Sequence, residues 1–337
     1  MPDFLQGRRT RAALLAGAIA LIALGFRLWQ IESVPPGLYI DEVHAARSVL
    51  QWRSDPNASW LGAIPLVRKG WVETSNLYLA AASAMMALGG DSILGIRLVS
   101  VIPSLVCVAL LGWLGYETGG RRTGFLAAFL LAVSHWAVRT GRTGWVQVLM
   151  MALQLAALAW LARAHRRDAN HERAAIGAGA AIGLSLYTYV ASRLVFAHAL
   201  LWQAWEVVVT KPRRNAMRRV TLLAVTALVI AGPFYVVLMR DRAEQLNLRS
   251  REVSIFGRPD PWATLGENVA AHLLMFHVRG AAYARDAYPR FPMLDPITGV
   301  LLLCGCVAVW RIGGWQRRMI VSWFAIAILA GVLSVSA

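Results

Sequence analysis

The chain has 337 residues, of which 58% are hydrophobic and only 15% charged, and it carries a net charge of +16. A soluble domain of this length is about a quarter charged, and the apolar residues here come in long continuous runs. These numbers exclude an ordinary soluble enzyme and a lipid-facing β-barrel, whose strands alternate. The expected fold is all-α, a polytopic transmembrane helical bundle, since only internally bonded segments satisfy the backbone in lipid.

The first span is expected at 13–29, after Arg8, Arg9 and Arg11, which place the N-terminus on the cytoplasmic side. An outside loop over 30–75 follows. Val34-Pro35-Pro36-Gly37 breaks the helix, and Asp41 is placed to cap a new helix running to Arg53. Val43, Ala46, Val49 and Leu50 share one face of it. That pattern predicts an amphipathic juxtamembrane helix lying on the bilayer surface. Further spans are expected at 97–116, 123–138, 143–162, 174–190, 194–209, 220–239, 295–310 and 319–336, with a large outside loop over 240–294. The stretch 76–89 is short for a crossing. Either it is re-entrant or interfacial, or a neighbour fails to cross; its length favours the first.

Seventeen of the 34 basic residues fall in five short stretches: 8–11, 121–122, 163–173, 211–219 and 311–318. Short basic loops between apolar spans follow the positive-inside rule, so the charge speaks for membrane topology rather than nucleic acid. The same parity collects Asp41, Glu42, Glu73, Arg97, Arg139, Arg142 and Arg193 on the outer side, with Tyr187 and Tyr189 nearby. Adjacent acids supply a base for an attacking hydroxyl. Forked arginines suit phosphate. Taken singly, each has a plainer role: a helix cap for Asp41-Glu42, snorkelling for Arg97 and Arg193, an aromatic belt for the tyrosines. Cys107, Cys304 and Cys306 read as packing residues, and His272 and His277 as loop residues.

Five blocks in order carry a resemblance: Gly37–Glu42, Val72–Tyr78, Gly95–Ser100, Val138–Gly144 and Leu186–Arg193, followed by Met275-Phe276 and Pro292–Pro296. Together they resemble the bacterial GT-C glycosyltransferases of the family-39 type, relatives of the protein O-mannosyltransferases and of the lipid A aminoarabinose transferase. The resemblance implies one transmembrane domain over 1–337 in the bacterial inner membrane, lacking the C-terminal part of longer relatives. It implies transfer of a sugar from a polyprenyl-phosphate carrier to an acceptor hydroxyl on a protein, lipid or glycan, at the outer face and with inversion. Asp41 matches the base or acceptor-orienting position and Glu42 its support. Arg97 matches an arginine of the mannosyltransferase branch, and Glu73 an acid that helps hold a divalent metal in some relatives. Arg139, Arg142, Arg193 and Tyr189 are assigned to the carrier phosphate by charge and side. The competing class is a non-catalytic or truncated protein that binds or translocates a lipid-linked sugar; acids gathered outside, with no visible repeat, favour an enzyme over a transporter.

Overall fold

The computed structural model describes residues 2–54, 76–166, 170–189, 191–209, 213–280 and 290–334. Glu73 lies outside the described residues, as do residues 55–75 of the loop expected over 30–75. Among the described residues the chain forms thirteen α-helices and no sheet: α1 (Pro2–Leu28), α2 (Ile40–Ser54), α3 (Asn76–Gly89), α4 (Ile93–Gly119), α5 (Arg121–Val133), α6 (His135–Thr140), α7 (Val146–Arg163), α8 (His171–Ser185), α9 (Ser192–Val209), α10 (Arg213–Val253), α11 (Pro261–Leu274), α12 (Pro296–Arg311) and α13 (Gly314–Val332). All nine expected spans coincide with helices. Four segments, Thr10–Leu28, Ile93–Gly119, Val146–Arg163 and Arg214–Val236, are long and apolar enough to cross a membrane. The chain is an integral membrane protein.

Helix direction follows from paired contacts at both ends of the bundle. Near the start of α4, Ser100 Oγ donates to the Trp145 carbonyl at the start of α7. At the far end, Glu117 of α4 meets Arg163 of α7 at 3.6 Å and Arg166 at 3.5 Å. α4 and α7 therefore run parallel, with α5 returning between them, as the charge parity requires. Small residues let the helices approach closely where lipid offers no hydrophobic drive. Ala175, Ala178 and Ala181 of α8 join Leu223 and Ala227 of α10 in the largest core cluster. Gly179 and Gly183 sit so close to α10 that a Cβ at either would meet a main-chain carbonyl, of Leu223 or Ala227.

α3 packs against the start of α4. Its residue Tyr78 bonds the Gly144 carbonyl, beside Ile96 of α4, and its last residue Gly89 packs against Gly95 of α4. Both ends of α3 thus lie near the first turn of α4.

α2 forms where Asp41-Glu42 predicts; Glu42, Ala45 and Val49 are its buried residues, while Val43 and Leu50, on the apolar face, are 45% and 43% exposed. Its far end is tied to the protein: Arg53 donates to Ser83 Oγ at 3.0 Å and to Asp91 at 2.7 Å. α10 continues well past the expected 239, because the charged stretch beyond it contains no glycine or proline to stop a helix. α11 lies inside the expected outside loop, with Asp260 capping Ala263 N at 3.0 Å and Pro261 at the first helical position.

Candidate functional site

The connection between α1 and α2 is built around carbonyls that point inward. Glutamine 30 and Gly37 both have positive φ, and Gly37 at +72° is a conformation that favours glycine. Two arginines from the bundle, Arg97 and Arg142, satisfy these carbonyls, and a third, Arg27, ties α1 to its neighbours. Arg97, fully buried, donates through Nη2 to the Pro35 carbonyl at 3.0 Å, and also bonds the carbonyls of Gly37 and Ile31. Arg142 donates to Phe26 O at 2.6 Å and twice to Val34 O, at 2.8 and 3.2 Å, and bonds the Trp29 carbonyl. Burial, and then repulsion from Arg97, lowers the pKa of Arg142. Arg27 inside α1 turns into the bundle and binds Ser104 Oγ at 2.7 Å and the carbonyls of Ala132 and Ala23 at 3.1 and 3.2 Å. That is the inward orientation a charge within a span requires.

Glu42 closes the arrangement. Its side chain is 1% exposed, and Oε1 accepts from Arg97 Nε at 3.2 Å and from Gly144 N at 3.0 Å, while Oε2 accepts from Tyr39 N at 2.8 Å. A buried carboxylate is tolerated when paired and hydrogen-bonded like this. The Tyr78 hydroxyl bonds the Gly144 carbonyl, so the 141–145 turn is held from both sides. A side chain at Gly144 would be crowded: a Cβ there would lie 3.1 Å from Ile96 O and 3.4 Å from Glu42 Cγ.

Asp41 differs from its neighbour in every respect. It is half-buried and accepts no hydrogen bond from any described residue. A cavity of about 250 Å³ at this loop is lined by Pro35–Tyr39, Glu42, Arg139, Thr143 and Trp145, and Asp41, next to Glu42 in the chain, is not part of its lining. Of the expected site residues, the structure therefore brings Glu42, Arg97, Arg139 and Arg142 around one loop. Arg193 and Tyr189 do not line this cavity. Arg193 Nε donates to Tyr235 Oη at 3.3 Å with its guanidinium 5.9 Å from that ring, and the Tyr189 carbonyl accepts from Ser192 Oγ at 2.6 Å. Arg97 and Arg142 are expected at the carrier phosphate; in the structure every guanidinium nitrogen of both has a protein partner. Tyr78, Gly144 and Arg27 are missed by the sequence reading, although the first two end the motif blocks Val72–Tyr78 and Val138–Gly144.

No group of three His, Cys, Asp or Glu among the described residues is placed to hold a metal ion. His272 Nδ1 pairs with Asn268 O at 2.8 Å and His277 Nε2 with Gly299 O at 3.0 Å.

The helical order and this site define a GT-C fold. Residues 76–237 match the family described as dolichyl-phosphate-mannose-protein mannosyltransferase, starting after the acidic motif. ArnT from Cupriavidus metallidurans in the apo state superposes with a TM-score of 0.53 at 14% identity, over 98% of this chain and 60% of that one. The oligosaccharyltransferase of Archaeoglobus fulgidus gives 0.56 at 14% identity over 96% and 48%. The Saccharomyces cerevisiae Pmt1–Pmt2 complex, bound to its sugar donor, gives 0.53 at 14% identity over 68% and 34%. No curated protein sequence matches. These matches agree with the resemblance drawn from the motif blocks and show a GT-C fold, and the chain spans about a third to three fifths of the length of these solved chains.

Proposed function

We propose that the chain transfers a sugar from a polyprenyl-phosphate carrier to an acceptor hydroxyl, with Asp41 as the base. One observation carries this reading: Glu42 is saturated by three donors and buried, and the turn it latches presents the adjacent Asp41 half-exposed with no hydrogen-bond partner among the described residues. Glu42 is thus a positioning residue and Asp41 the group left to meet substrate. The acceptor oxygen attacks the anomeric carbon while its proton passes to Asp41. The bond from that carbon to the carrier phosphate breaks, and the configuration inverts. The leaving phosphate gains charge, which a positioned cation stabilises. Arg139 on the cavity wall is assigned that role, with Arg193 and Tyr189 further along the same end of the bundle. Arg97 and Arg142 hold the loop. No step is routed through a metal.

ArnT from Cupriavidus metallidurans also has a structure with undecaprenyl phosphate bound, at 16% identity and a TM-score of 0.52. That likeness supports a polyprenyl phosphate as the carrier. The basic loops support a bacterial inner-membrane topology with the N-terminus cytoplasmic and the Asp41 end facing out. The exposed Ile40, Val43 and Leu50 on α2 support its contact with the outer headgroups, although α2 is also docked on α3. Purified chain in liposomes, given a radiolabelled polyprenyl-phosphate sugar and hydroxyl acceptors, tests the reading. Label in an acceptor supports it. Saturable donor binding with no label in protein, lipid or glycan supports the non-catalytic alternative.

A further inference from the structure

At the end of the bundle opposite Asp41 a second, larger hollow opens between α9 and α13. It measures about 500 Å³ and is lined mainly by Leu201, Trp202, Trp205, Trp310 and Val321, with Arg317 and Arg318 also in its wall. Its place is fixed by His165, at the α7 C-terminus, whose ring stacks on Trp315 at 4.6 Å. Ser322 Oγ and His198 Nε2, 2.8 Å apart, close the polar floor.

We propose that this groove binds one anionic glycerophospholipid from the leaflet on that side, with an acyl chain between α9 and α13 and the phosphate on Arg317 and Arg318. Three observations fit one occupant. The walls are apolar and outward-facing: Leu201 is 66% exposed and Trp310 73% exposed, which a membrane helix accepts only against lipid or a partner. The cations stand together at one end, with Arg318 within 6.0 Å of the Trp205 ring and neither arginine paired with a carboxylate among the described residues. The eight-residue rise along α13 from Arg318 to Ile326 is about 12 Å, close to the roughly 15 Å depth of one hydrocarbon leaflet. A phosphodiester at the arginines therefore puts its chain at the right depth to fill the groove. Charge complementarity selects an anionic over a zwitterionic headgroup. The tryptophans at the mouth match the amphipathic belt at the headgroup level. The proposal needs only the opposite ends of the bundle, not the transfer reaction.

The test uses the full chain in nanodiscs of phosphatidylcholine doped with a photoreactive phosphatidylglycerol whose diazirine sits on the acyl chain. Crosslinked peptides should map to 198–205 and 317–326. The double substitution Arg317→Gln/Arg318→Gln should cut that crosslinking about tenfold, since each surface cation contributes several-fold to anionic lipid binding. Leu201→Trp, which fills the groove and keeps both charges, should cut it as strongly, whereas Arg311→Gln should not. Soluble glycerol phosphate at millimolar concentration should fail to compete, which separates a lipid from a free phosphate ligand. Equal crosslinking by a photoreactive phosphatidylcholine, or none of the expected loss in the double variant, overturns the proposal. So does effective competition by glycerol phosphate.

Discussion

The two ends of the bundle use acids and arginines in opposite ways. At the Asp41 end, Glu42 and Arg97 are 1% and 0% exposed and every polar atom is committed to a named partner. At the other end Glu117 is buried, but its partners Arg163 and Arg166 are 28% and 34% exposed and their contacts are 3.5 Å or longer. Water reaches the arginines of the second set and screens their pairing with Glu117, whose closest hydrogen bond is from Trp113 Nε1 at 2.8 Å. The first is dry and saturated. It can hold one backbone shape and, through it, one free carboxylate. The difference teaches that placement in a site comes from desolvation and complete hydrogen bonding, not from the number of charges.

The sharpest way to break the comparison is to remove one partner at each end. Arg97→Gln leaves Glu42 buried without its cation and should cost about 3–5 kcal/mol, read as unfolding in detergent. Arg166→Gln leaves Glu117 with Arg163 and should cost less than about 1 kcal/mol. Similar losses at both ends would erase the distinction. Next in size, Gly144→Ala presses a methyl against Ile96 and should cost about 1–3 kcal/mol by overpacking. Tyr78→Phe removes the donor to the Gly144 carbonyl and should cost about 1–2 kcal/mol. Both should reduce transfer more than they reduce donor binding, because they loosen the turn that positions Asp41.

A further effect lies at the other end and is read by pH. Burial, then repulsion from Arg219, His171 and Arg318, pushes the His165 pKa down to about 4, against its ordinary 6.5, and outweighs Glu206 at 3.9 Å. The folded protein holds this ring neutral, while the unfolded chain protonates it first. Stability linked to His165 is therefore complete above pH 6.5 and falls as the pH drops toward about 4. His165→Phe, which keeps a ring against Trp315, should flatten that part of the profile.

Much of this was legible in the residues. The nine spans follow from apolar run length, and the parallel course of α4 and α7 follows from where the basic loops fall. The start of α2 follows from the break at Val34–Gly37 and the acids behind it. Its buried face does not. Periodicity groups Val43 and Leu50 on an apolar face, but it does not show that Glu42 is buried, because the partner that neutralises it, Arg97, lies 55 residues away. The same long-range pairing hides the work of Arg97 and Arg142: side and charge suggest phosphate, and only the fold shows backbone carbonyls within reach. Arg27 is hidden differently, by lying within an otherwise apolar span. The α11 helix was readable from Asp260-Pro261, a cap followed by a first-position proline.

The central claim is the division of labour within Asp41-Glu42, and one paired measurement tests it: sugar transfer and thermal unfolding of Asp41→Asn beside Glu42→Gln. Asp41→Asn should leave the unfolding midpoint at the parental value and lower transfer at least about a hundredfold, the usual contribution of a positioned base. Glu42→Gln should lower the midpoint and transfer together. Parental transfer by Asp41→Asn, or a midpoint unchanged by Glu42→Gln, would contradict the account.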